Sequence, residues 1–273
     1  MMDKIVNNQS LRQWQINSSR ENQKINTAFL HKHVCTFDDL SVSINPWVFS
    51  HIPKTAGTSI ENYLSQLFLI QDIVHVNAPD LNKMPGLLNL KNQFPSFIAG
   101  HHPMHGLLYQ LLPKQKLVHL AMMREPIARV LSYYNYLKSR KTHALHDSVL
   151  GMDFETFIQQ PMVELNNGQS RRLAGMLHSD EIISDHELFK CAKNVIDNCF
   201  TLVGVTEKIE LFVQLIESKC GVTINRSEPK NSSNKSMKMN EINNRQLKLI
   251  QKNNAADIML YDYVFEEFSN IKA

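Results

Sequence analysis

The segment WVFSHIPKTAGTSIENYL, residues 47–64, constrains the fold of this chain more than any other stretch. WVFSHI is apolar enough to be a buried strand, and PKTAG reads as a loop. From Thr58 onward the apolar residues Ile60, Tyr63, Leu64 and Leu67 fall at i, i+3, i+4 and i+7, which predicts a helix with one buried face. Thr58 and Glu61 have the spacing of a capping box, so the helix is expected to begin at the loop. A strand, a short glycine-containing turn and a helix start, in that order, aim several free N–H groups and the positive end of a helix dipole at one point, where an anion would be held. The small residues Thr55, Ala56, Gly57, Thr58 and Ser59 would let a phosphate approach the backbone, and their hydroxyls could add hydrogen bonds. A plain tight turn between strand and helix has the same pattern and is the competing reading.

The lysine of this loop is in the wrong place for a nucleotide triphosphatase. In G-x-x-x-x-G-K-[ST] the lysine follows the last glycine and reaches the terminal phosphates. Here Lys54 precedes Gly57, and the first glycine of that pattern is missing. The strand KLVHLAMMR should end in an aspartate if it held Mg²⁺, and it ends in Arg124. An arginine there implies a second anionic group held by protein cations. In the following helix, PIARVLSYYNYLK, Pro126 suits the first helical position. Ile127, Val130, Leu131 and Tyr134 form its apolar stripe, which leaves Ser132 nearly opposite and free to face a ligand. An ion pair at the helix start, with Glu125 or a neighbour, is the competing explanation of the arginine.

Further strands, DIVHV, FPSFIAGHHP and CFTLVGVTE, alternate with helices around 186–197, 208–219, 240–253 and 255–269. The alternation predicts an α/β fold with a single doubly wound parallel sheet flanked by helices, and with sites at the carboxyl ends of strands. Residues 1–44 are expected to be a polar, partly ordered N-terminal extension, and 45–273 the domain. A formal charge of +3 with 12 dispersed histidines gives no reason to invoke nucleic acid. The four cysteines lack C-x-x-C spacing, and neither a signal peptide nor a membrane-spanning run is read, so the expected location is cytoplasmic.

With both segments in view, H-I-P-K-T-A-G-T-S (51–59) and R-E-P-I-A-R-V-L-S-Y-Y (124–134), the chain resembles the sulfotransferases that use 3′-phosphoadenosine 5′-phosphosulfate (PAPS). The branch it resembles includes the heparan sulfate 2-O-sulfotransferases and bacterial relatives. Looser similarity runs through A-G-H-H-P (99–103), N-N-G-Q-S-R-R-L-A-G (166–175), V-G-V-T-E-K (203–208), K-N-S-S-N-K (230–235) and D-I-M-L-Y-D-Y (257–263).

The resemblance implies a P-loop-like sulfotransferase fold. It also implies that Lys54 and residues Thr55, Ala56, Gly57, Thr58 and Ser59 hold the 5′-phosphosulfate, while Arg124 and Ser132, joined by Ser233 and Lys235, hold the 3′-phosphate. His101 is the implied general base, with His102 in reserve and Glu61 as a competitor. Arg171 and Arg172 match a segment near the acceptor, although a solvated pair on a helix surface explains them as well. PAP is the implied product, no metal is implied, and the acceptor is expected to be a hydroxyl, less readily an amine. That acceptor would be a small molecule, glycan or lipid in a bacterial cytoplasm. A small-molecule kinase with a degenerate loop, or a non-catalytic nucleotide-binding module, are the alternatives.

Overall fold

The structure is a computed structural model and describes residues 32–44, 46–76, 95–101, 116–177, 182–226 and 236–271. The expected sites His102, Ser233 and Lys235 lie outside the described residues.

Five strands pair in parallel in the order β2-β3-β1-β4-β5, where β1 is Trp47–Ser50, β2 Ile73–His75, β3 Phe97–Gly100, β4 Val118–Met123 and β5 Leu202–Val205. All residues of β1, β3, β4 and β5 are buried, as expected of strands covered by helices on both faces. From β1 the chain moves outward to β2, returns through β3, and crosses β1 to reach β4. The direction of winding therefore reverses beside β1, and the crevice at that reversal lies at the carboxyl ends of β1 and β4. The loops carrying Lys54 and Arg124 leave from those two ends.

Helix α1, Gly57–Ser65, follows β1, and its buried residues Ile60, Tyr63 and Leu64 are those of the expected stripe. The expected capping box is not formed. Ala56 caps the helix in a left-handed conformation, φ 59°, with no side-chain cap, which leaves Thr58 already inside the helix, and Glu61 turns back to the buried His51, 2.7 Å away. Helix α2, Pro126–Ser139, follows β4 with Pro126 at its start. Glu125 accepts from the amides of Ile127 and Ala128, so its carboxylate caps its own helix rather than pairing with Arg124 as the competing reading has it.

Then come α3 (His146–Leu150), α4 (Phe154–Ile158), a single turn at Val163–Leu165, α5 (Gly168–Leu173) and α6 (Asp185–Cys199), which begins with a complete capping box from Ser184 and Glu187. After β5 follow α7 (Ile209–Cys220), α8 (Asn244–Asn253) and α9 (Ala255–Asn270). The helix expected from Asn240 begins at Asn244, because Asn243 and Gln246 form the capping box there. One apolar cluster fills the space around the sheet, and a second joins α2, α3, α4 and α8. Ahead of β1, Cys35 and Leu40 are buried in the main cluster, and Val34 bridges to Leu117 beside β4.

Candidate active site

The loop after β1 is held in its curve by its own residues. Lys54 and Ala56 both take positive φ, 72° and 59°, and the Thr55 hydroxyl donates to the carbonyl of Ile52 at 2.9 Å. The first amides of α1 have no carbonyl to reach within the helix, so the curve presents them at one point. Arg124 meets this loop from the other strand: its Nη1 lies 3.4 Å from the carbonyl oxygen of Lys54. Gln169 of α5 fixes the backbone of Arg124 by accepting from its amide at 3.0 Å and donating to its carbonyl at 2.9 Å. Burial draws the Lys54 ammonium down to about 8, and the neighbouring Arg124 adds to the effect. Its Nζ rests 4.0 Å from the centre of the Tyr136 ring.

A cavity of about 480 Å³ opens over this loop, lined by Lys54, Ala56, Gly57, Thr58 and Ser59 on one side. His51, His101, Tyr133, Tyr136, His143 and Glu164 complete its walls. His101 thus shares one cavity with Lys54. Its Nδ1 lies 3.0 Å from the carbonyl oxygen of His51; a carbonyl only accepts, so Nδ1 carries the proton and Nε2 keeps its lone pair. Burial, then the charges of His51 and Arg172, push His101 down to about 4.

Arg172 is buried rather than solvated. It donates to the carbonyl of His101 at 3.1 Å and to Glu164 at 2.6 Å, so its guanidinium is occupied in holding the wall behind His101. Arg171, half-exposed, reaches the carbonyl of Asn166 at 3.3 Å. Ser132 is half-buried on α2 and does not line this cavity. Three residues further along that helix, Asn135 clamps the backbone of Met237 with two hydrogen bonds, 2.9 and 3.0 Å. The chain at Met237 is therefore docked on the helix that carries Ser132.

Several wall residues escaped the sequence reading. By sequence His51 is the penultimate residue of the strand WVFSHI, which gives no sign that its ring lines the cavity. Glu164 and Arg129 were unmarked, yet Glu164 receives both Arg172 and Arg129, and Arg129 lies fully buried between Glu164 at 3.1 Å and Asp257 at 3.8 Å. The available signal was the place of Arg129 on α2, next to Val130 and one turn before Tyr133, on the flank of the buried stripe. Among the described residues, no group of three or more His, Cys, Asp or Glu side chains is arranged to hold a metal ion.

Comparison with known proteins supplies an independent line. A family profile described as the Sulfotransferase family matches residues 45–264. Heparan sulfate 2-O-sulfotransferase 1 from Gallus gallus and from Homo sapiens are each 26% identical over 192 residues, covering 63% of this chain. The chain spans about half of their length, 53%. A sulfotransferase structure from Alicyclobacillus acidocaldarius aligns over 83% of this chain and 99% of its own, with TM-score 0.46 and 14% identity. Because the matched region contains the loop of Lys54, the strand end of Arg124 and the wall of His101, this chain belongs to the sulfotransferase family.

Proposed function

We propose that the chain transfers a sulfuryl group from PAPS to an acceptor hydroxyl. The observation that carries this reading is the convergence of Lys54, Arg124 and His101 on one loop: the Arg124 guanidinium reaches the Lys54 carbonyl, and a histidine with an open Nε2 lines the same cavity as Lys54. In the proposed reaction the acceptor oxygen bonds to sulfur as the bond from sulfur to the bridging oxygen breaks. The electron pair of that bond leaves with the phosphate of PAP, and the acceptor proton passes to Nε2 of His101. Lys54 stabilises the negative charge that develops on the bridging oxygen, and the α1 amides stabilise the departing phosphate. Arg124 with Ser132, joined by Ser233 and Lys235, would grip the 3′-phosphate. Arg172 acts through His101, whose carbonyl it holds.

The tyrosine-lined wall, Tyr133 and Tyr136 with His143, is where the acceptor would lie, a surface suited to the flat face of a sugar or another hydroxylated small molecule or lipid. No helix among the described residues is long and apolar enough to cross a membrane. We place the reaction in the cytoplasm.

Thermal denaturation with PAP, ADP or Mg²⁺-ATP tests the donor, since a ligand of the native state raises the midpoint. PAP without metal should stabilise the protein. Stabilisation by Mg²⁺-ATP alone would move the assignment to a kinase. A screen of hydroxylated acceptors with labelled PAPS tests the transfer itself.

A further inference from the structure

His51 has no part in the chemistry so far, yet it stands between the loop and His101. It is only 7% exposed, and its Nδ1 is 2.7 Å from Oε1 of Glu61 on α1. One face of its ring lies against His101, with centroids 4.0 Å apart and planes at 37°. Its Cδ2–Nε2 edge faces Gly57, the first residue of α1: a Cβ placed there would lie 1.9 Å from Cδ2 and 2.1 Å from Nε2. Nε2 therefore borders the point where the loop and α1 present their amides, and no hydrogen bond reaches it among the described residues.

The carboxylate of Glu61 accepts, so Nδ1 carries a proton. An anion seated on the first turn of α1 would also accept. An imidazole between two such acceptors satisfies both only when each nitrogen holds a proton, that is, as a cation. We propose that His51 is a donor-binding residue, which as an imidazolium bridges Glu61 and the 5′-phosphate end of the donor, so that binding draws a proton from solvent. The assignment rests on the reading of this loop as the donor's 5′ site.

The groups facing His51 divide by sign. Glu61 from α1 favours its charge, and His75 of β2 competes for that carboxylate from 3.6 Å. Lys54 in its own loop and, on the far side of His101, Arg172 oppose it. An incoming phosphate adds negative charge on the open side and decides the balance. Gly57 is then required twice over, for the approach of the anion and for the space that the His51 edge fills.

Calorimetric titration with PAP at pH 7, in buffers of different ionisation enthalpy, reads the proton directly. At that pH Lys54, which titrates near 8, is already largely charged and takes up little. The wild-type chain should take up a substantial fraction of one proton. His51→Asn should take up far less and bind PAP about tenfold more weakly, the usual weight of a charge-assisted hydrogen bond. His51→Gln, which keeps an N–H donor without a charge, should recover part of the affinity and none of the uptake; melting curves show which variants are folded, and His51→Gln carries the test if the asparagine variant is not. Uptake unchanged in a folded variant, or no uptake by the wild type, overturns the assignment. A wild-type chain that does not bind PAP at all overturns the donor reading of the loop and this inference with it.

Discussion

At Lys54 a single side chain is asked to be charged and poorly solvated at once. Burial and Arg124 bring its titration down to about 8, so the cation needed for the leaving oxygen is present below that pH and lost above it. His101 works in the opposite sense. As a base it must be neutral, and with its titration pushed down to about 4 it is neutral through the whole range above. Turnover by the donor-free values should therefore fall on the acid side near pH 4 and on the alkaline side from about pH 8, with bound donor moving the alkaline limb upward. A pH profile of kcat/KM checks both limbs. Lys54→Ala should lower single-turnover transfer by about 10²-fold or more, the scale of losing one preorganised charge-stabilising group. Gly100, just before His101, has φ +144°, and a Cβ there would lie 1.9 Å from the carbonyl oxygen of Val76. Gly100→Ala should thus displace either the end of β3 or the chain after β2, lowering stability by about 2–3 kcal/mol in denaturant unfolding and disordering the base.

Between elements, the wall of the site is tied to the body of the protein by ion pairs that no local pattern announces. Arg129 lies 35 residues before Glu164 in sequence. Asp257, at the start of α9, accepts from the amides of Gln169 and Ser170 and so caps α5, the helix whose Gln169 holds Arg124. Burial pushes Glu164 up, but Arg172 and Arg129 together hold it below the usual carboxylate range. Burial prevails at Asp257, which is raised despite Arg129 and the two amides, because its guanidinium is farther away, at 3.8 Å. Removing the shared cation leaves both carboxylates buried and undercompensated. Arg129→Met should cost about 3–5 kcal/mol in denaturant unfolding, and a loss under 1 kcal/mol would show the pairs to be incidental.

This is also where legibility in the sequence ends. The strand and helix of residues 47–65 and the helix from Pro126 could be read because their apolar spacing is local, and so could the loop between them. The turn of Glu61 toward His51 could not, since the capping box it suggests has the same spacing and only the packed structure shows the competing partner. Arg172 was readable as a basic residue near the site, but whether it faces solvent or a buried carboxylate depends on Glu164, eight residues away across a turn.

Over the whole molecule, the sheet does not begin at the first residue of β1. Cys35 donates its amide to Leu117 at 2.8 Å, Leu117 returns its own to His33 at 2.8 Å, and the Thr201 hydroxyl donates to the carbonyl of Cys35 at 2.8 Å. The segment ahead of β1 thus spans the starts of β4 and β5, and Leu40 is buried beneath it at 3% exposure. The family match starts at residue 45, so a chain trimmed to that match would lose these contacts while keeping every proposed site residue. The amide of Leu117 and the hydroxyl of Thr201 would be left without their partners, and the surface that Cys35 and Leu40 cover would be open to water. We expect a chain starting at residue 45 to be less stable than one starting at residue 32 by about 3 kcal/mol, from one large and one small apolar side chain with their hydrogen bonds. In thermal denaturation that corresponds to a midpoint lower by roughly 5–10 °C. PAP affinity at 15 °C should be nearly the same for both chains, because the crevice lies at the carboxyl ends of β1 and β4 and this segment at the amino ends of β4 and β5. Equal midpoints would mean that the segment is only laid on the surface, whereas a large loss of PAP binding in a folded trimmed chain would mean that it supports the donor site.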